Sequence, residues 1–146
     1  MGTAQASDYL ENILIDHLFR TRTFAKPAAL YVALFTAAPT DAGGGTEVTG
    51  GAYARVNLAP LDTNWKATQG GVSGNSSGTG GMTSNAVAIT FPAPTANWGT
   101  VTHFGIFDAA SGGNLIIWDA LTASRTILNG DPAPAFAVDA LQITVS

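Results

Sequence analysis

The chain has 146 residues and a formal net charge of −4, long enough for one domain with its own core and too acidic for a groove that works by neutralising phosphates. It contains no cysteine, which excludes disulfides and thiolate metal sites. Only 11% of the residues are charged, where an ordinary soluble domain carries about 25%, so the surface is weakly protected against self-association and reads as one that neighbours cover.

In chain order, Met1–Ser7 lacks the charged and apolar blocks of a signal peptide. Ser7 is a good N-cap, with Asp8 and Glu11 in the electropositive first turn that follows. Leu10, Ile13, Leu14, His17 and Leu18 then fall on one face of a helix. Ile15 and Phe19 lie off that face, so the helix is apolar on more than one side. The extra side is expected to meet another chain. Arg20, Arg22 and Lys26 form a local basic run suited to a helix C-terminus. The helix, about residues 7–22, is expected to end near Thr21–Thr23, because Pro27 disfavours helical geometry at Lys26.

After the helix the apolar period changes to that of strands. Ala29–Thr36 is rich in β-formers and apolar on both faces. Tyr53–Leu58 alternates Tyr53, Arg55 and Asn57 against Ala54, Val56 and Leu58, the pattern of a half-buried strand. Further strands are predicted at Ala86–Phe91, Thr100–Phe107, Asn114–Trp118 and Phe136–Val145, with a short one within Ala120–Leu128. Asp108–Gly113 carries hairpin-turn chemistry between two of them. The expectation is one mainly β domain over residues 1–146: an antiparallel β-sandwich, or barrel-like sheet, of six to eight strands with one N-terminal helix. No apolar run approaches the ~20 residues that cross a bilayer, so no membrane partner is expected.

Two loops stand out. Ala37–Gly51 holds five glycines and Pro39, and Gly70–Gly81 has six glycines in twelve residues. The latter belongs to a Gly-rich insertion, about residues 62–83, with little packing potential of its own. Loops longer than about 12–15 residues are usually functional arms or disordered.

Several motifs resemble catalytic or binding sites and lack the context those sites need. Gly74-Asn75-Ser76-Ser77-Gly78 matches the serine-hydrolase elbow, yet no helix pattern follows it and His17 and His103 are the only candidate bases. Asn75-Ser76-Ser77 is a glycosylation triplet without a secretory context. Neither lysine follows a glycine, so there is no phosphate-binding Walker sequence. His103 with Asp108 and Asp119 would be a one-histidine, two-carboxylate metal site, but no spacing signature supports it and His103 reads as structural. Most aspartates that might form a glycosidase pair, Asp41, Asp62, Asp108 and Asp131, sit in predicted turns. No catalytic, cofactor or metal residues are therefore assigned. The tryptophans at 65, 98 and 118, with Tyr31 and Tyr53, suit either a sandwich core or a sugar-stacking platform.

Leu30–Arg55, Ser84–Pro92 and Trp98–Leu115, preceded by a helix like Tyr9–Arg20, resemble a small family of tailed-bacteriophage structural proteins commonly labelled tail fibre proteins. Residues Pro60–Thr83 depart from that pattern, being longer and richer in glycine. The resemblance implies a non-enzymatic component located in the virion. Size and low charge suit a capsid decoration or cement protein equally well. On this reading the chain assembles with copies of itself or with other virion proteins (major capsid or tail proteins) through Leu10, Ile13, Leu14, Ile15 and His17. The alternative is a glycan-binding, host-receptor module using Trp98 or Trp65.

Overall fold

A computed structural model describes residues 2–146. In chain order the elements are β1 (Gln5–Ala6), α1 (Asp8–Phe19), β2 (Tyr31–Ala37), β3 (Thr46–Glu47), β4 (Val56–Asn57) and β5 (Met82–Ser84). They continue with β6 (Ile89–Thr90), β7 (Gly99–Phe107), β8 (Leu115–Ile127), β9 (Ala135–Phe136) and β10 (Gln142–Thr144). The protein is mainly β with one N-terminal helix, as its periodicity predicts. The strands that periodicity does not reveal are two or three residues long, too short to show an alternation.

Six strands form one antiparallel sheet in the order β1-β8-β7-β2-β3, with β4 also paired to β2. Two small antiparallel ladders, β5 with β10 and β6 with β9, complete the layers. The registers explain where the core lies. Val32, Ile106 and Ile117 form one cross-strand row, and Leu34, Phe104 and Asp119 the next on the same face. Against these pack Ile89 and Phe91 from around β6, Leu141 and Ile143 from around β10, and Trp98. The opposite face carries Phe35, His103, Gly105 and Trp118, with Phe35 stacked on Phe107 at 6.2 Å between ring centroids.

Two predicted strands, Asn114–Trp118 and the segment within Ala120–Leu128, are one long bulged strand, β8. Val101 pairs with Arg125 and His103 with Ala120, so five steps of β8 face two of β7. A bulge keeps the strand continuous while turning its side chains, and no apolar period survives across it. Conversely, the predicted Phe136–Val145 strand is split into β9 and β10, with Asp139 at φ 67° between them.

Tyr53–Leu58 pairs only at Val56 and Asn57. Of its predicted polar side only Asn57 is exposed; Tyr53 is half-buried and the Arg55 side chain is 7% exposed. The glycine-rich part of the insertion lies outside the core. Every residue from 69 to 81 is exposed, and the Gln69 side chain clasps it, donating to the Asn75 carbonyl at 3.0 Å and accepting from the Ser77 amide at 2.9 Å.

Candidate functional site

The helix is built from its cap. The Ser7 hydroxyl accepts from the Leu10 amide at 3.1 Å and donates to the Leu115 carbonyl of β8. The Ser7 amide donates to the Ile116 carbonyl and the Asp8 amide to the Asp41 carbonyl. These bonds pin the first turn to the sheet. Beyond it the helix buries no residue at all. It stops at Phe19, short of the predicted end near Thr21–Thr23, because Arg20 is already extended at φ −123°. The His17 ring nitrogen Nδ1 accepts from the Phe24 amide at 3.1 Å and holds the departing chain.

Successive helical residues turn by about 100°, which sorts α1 into two faces. Tyr9, Leu10, Ile13 and Asp16 are half-buried toward the body. Glu11, Leu14, Ile15, Leu18 and Phe19 lie on the far side and are exposed, Leu18 at 66% and Phe19 at 82%. Of the residues named from the sequence, Leu14 and Ile15 thus sit on the outward face, Leu10 and Ile13 on the inward one, and His17 at the helix exit. Leu18 and Phe19, left off that set, are the most exposed apolar side chains of the helix. In the sequence Phe19 belongs to the second apolar side of the helix, whereas Leu18 falls on the first face with Leu10 and Ile13.

The physical tension is plain. A helix of 12 residues is marginal in water on its own, and proteins stabilise such helices by packing an apolar face. Here the more apolar face looks outward.

The two tryptophans named for sugar stacking differ in exposure: Trp98 is buried and Trp65 half-buried. Trp98 is 6% exposed, sits edge-on to Tyr53 at 5.3 Å, and donates its indole N–H to the Gly51 carbonyl at 2.8 Å. Trp65 packs against the core and donates to the Leu58 carbonyl at 3.2 Å. Trp98 thus keeps no open face, whereas the half-buried Trp65 also lines a groove with Lys26, Pro60 and Asp62. Trp118 is half-buried, 6.0 Å from the His103 ring, and donates to Asp41 at 3.2 Å.

The other chemistry-bearing residues are scattered or spent. Ser76 Oγ accepts from the Thr68 amide within the exposed insertion. His103 pairs across to Ala120, so Asp119, one residue on, points to the opposite face of the sheet. Asp108 is used to close the β7–β8 turn, accepting from both nitrogens of Asn114. No group of three metal-ligating side chains occurs among the described residues.

Sequence reasoning missed one polar cluster. Arg55 forms a two-pronged pair with Glu47, stacks 3.6 Å over the Phe107 ring, and donates to the carbonyls of Ala109 and Gly112. Tyr53 adds its hydroxyl, accepting from the Leu34 amide and donating to Glu47. Burial raises the Tyr53 pKa well above the ordinary phenol value. Nothing in the spacing of Tyr53, Arg55 and Glu47 foretells the cluster, because the loop between them must fold back first. With the Arg55 donors so occupied, the 580 Å³ cleft beside it, which reaches Asp8, Tyr9 and Asp41, has no free cation on its wall.

A second uncovered apolar feature lies where β8 bulges: a groove of about 330 Å³ lined by Leu34, Phe91, Leu121 and Phe136, with Arg125 beside them.

No curated protein matches this chain. From β1 to the last residue of β10, residues 5–144, the chain matches the family described as Podophage GP4 fiber I protein gp80, and it belongs to that family of phage fibre-type virion proteins.

Proposed function

We propose that this virion component performs no chemistry of its own and serves as a docking element, of capsid-decoration, cement or tail-fibre type, attached through the outward face of α1. Its partners are copies of itself and other virion proteins, the major capsid or tail proteins among them. The observation that carries this reading is a helix with no buried residue that turns Leu14, Ile15, Leu18 and Phe19 to solvent. Large apolar side chains gathered on one exposed face mark a protein contact. The low charge of the chain, 11%, removes the repulsion that would keep such a face free. Against catalysis stands the use of the polar residues: Arg55, Glu47, Asp108 and Asp139 are engaged in bonds that hold loops and strands.

The test is incorporation into particles. A Leu18→Glu/Phe19→Asp chain keeps its sheet, since neither side chain is buried, and is expected to be absent from purified virions that contain the unaltered protein. Normal incorporation of that variant would overturn the reading.

A further inference from the structure

We infer that the groove beside the β8 bulge takes an extended segment of another protein chain, which enters as an added strand between β8 and β9 and brings a carboxylate to Arg125. This contact is separate from the outward face of α1 and does not depend on it.

Backbone geometry sets the shape of the occupant. Across β7 the partners of β8 pass from Ala120 directly to Arg125, so Leu121–Ser124 have no residue opposite them. The Ala120 amide donates to Asp119 Oδ1 at 2.8 Å, a side chain standing where a neighbouring strand would offer its carbonyl. The facing wall of the groove is β9. Phe91 donates its amide to the Pro134 carbonyl at 2.8 Å, and Ile89 lies opposite Phe136. Bonded and non-bonded pairs alternate along an antiparallel ladder, so Ala135 turns its N–H and C=O away from β6. Pro134, Ala135 and Phe136 all line the groove, whereas Ile89 and Thr90 of β6 do not. The free edge of β9 therefore looks toward the unpaired stretch of β8. Unpaired strand edges are templates for a further strand.

Side chains set its chemistry. The buried residues Leu34, Phe91, Val101 and Ile127 reach the groove, so the inward side chains of the added strand are apolar. Arg125 is the one charged residue on the groove wall. It is exposed and takes part in none of the ion pairs of the described residues. A guanidinium so placed offers its fork of donors to a carboxylate. In strand addition the main chain supplies affinity and alternate side chains supply selection. Here an apolar alternation with one Asp or Glu is selected.

Anisotropy titration with fluorescein-labelled, amidated peptides on the intact chain tests this. The probe Val-Thr-Val-Asp-Val-Thr is expected to bind saturably. Lys in place of its Asp should weaken binding about two- to five-fold, the range of an exposed ion pair. The order of the two peptides should reverse on Arg125→Glu, which the fold tolerates because Arg125 is exposed. Pro in place of the second Val removes a backbone donor and should weaken binding several-fold. Equal binding of the Asp and Lys peptides, undiminished binding of the Pro peptide, or no saturation up to about 1 mM would each overturn the inference. The Leu18→Glu/Phe19→Asp chain should bind the probe as the unaltered chain does, and loss of binding there would overturn the separation of the two surfaces. If that variant binds the probe and also enters virions normally, the docking role of α1 fails while the added strand stands.

Discussion

Arg55 and Glu47 meet in a two-pronged ion pair, with the guanidinium Nε and Nη2 each 2.8 Å from a carboxylate oxygen. The pair joins the strand edge at β3 to the β7–β8 turn, because Arg55 Nη1 also donates to the carbonyls of Ala109 and Gly112, each at 2.8 Å. One side chain thus closes a loop 54 residues away.

Removing the guanidinium is therefore costly. Arg55→Ala strips bonds from both loop carbonyls and leaves Glu47 without its cation, a change expected to cost about 3 kcal/mol. Arg55→Lys keeps the charge but not the fork and should recover only part of it. Urea denaturation at neutral pH measures both. A loss below about 1 kcal/mol for the alanine variant would show that the pair behaves as an ordinary surface contact.

Tyr53 predicts an alkaline limb. Its hydroxyl accepts from the Leu34 amide at 2.9 Å and donates to Glu47 at 3.0 Å, and burial raises its pKa above the unfolded value of 10.0. A raised folded pKa means that the stabilisation is complete below the unfolded pKa and declines as pH rises through and beyond it. Tyr53→Phe should lose about 1–3 kcal/mol at neutral pH, since the Leu34 amide is left without its acceptor. It should also show a shallower decline of stability above about pH 10 than the unaltered chain. Parallel declines in the two proteins would refute the assignment.

Asp139 predicts the acid limb. The Lys66 ammonium, 2.6 Å away, and the Ser84 hydroxyl, 2.8 Å away, hold its carboxyl below the ordinary aspartate range. A lowered folded pKa gives a contribution present above the unfolded pKa and lost as pH falls through the folded one. Asparagine tolerates the positive φ of 67° at this position, so Asp139→Asn removes the charge without straining the backbone. The gap between the two proteins should be open at neutral pH and close under acid. A gap that stays constant down the acid limb, in thermal unfolding followed by circular dichroism, would contradict this.

Neighbouring glycines separate two causes of loop rigidity. Gly44 and Gly45 have φ of 78° and 74°. A Cβ on Gly44 meets open space, whereas one on Gly45 would lie 2.7 Å from the Pro39 nitrogen and 2.8 Å from the Ala37 carbonyl oxygen. Gly44→Ala should cost about 1–2 kcal/mol, for the left-handed backbone alone. Gly45→Ala should cost clearly more, because backbone must move as well. Equal losses on thermal denaturation would show that the close approach contributes nothing.

The start of α1 is legible from local residues, because a cap works within one turn: Ser7 binds the Leu10 amide three residues on. So are the positions of β2 and β7, because runs of β-forming side chains are local. Spacing alone also marks the helix as apolar on two sides. Which side looks outward depends on the packing, since the inward side is the one that lies over β8 and β1. Trp98 can be buried because its indole N–H donates to the Gly51 carbonyl, 47 residues away, and Arg55 is buried because a distant turn wraps it. Periodicity records how apolar a face is. What covers that face depends on partners distant in the chain, or on another chain altogether.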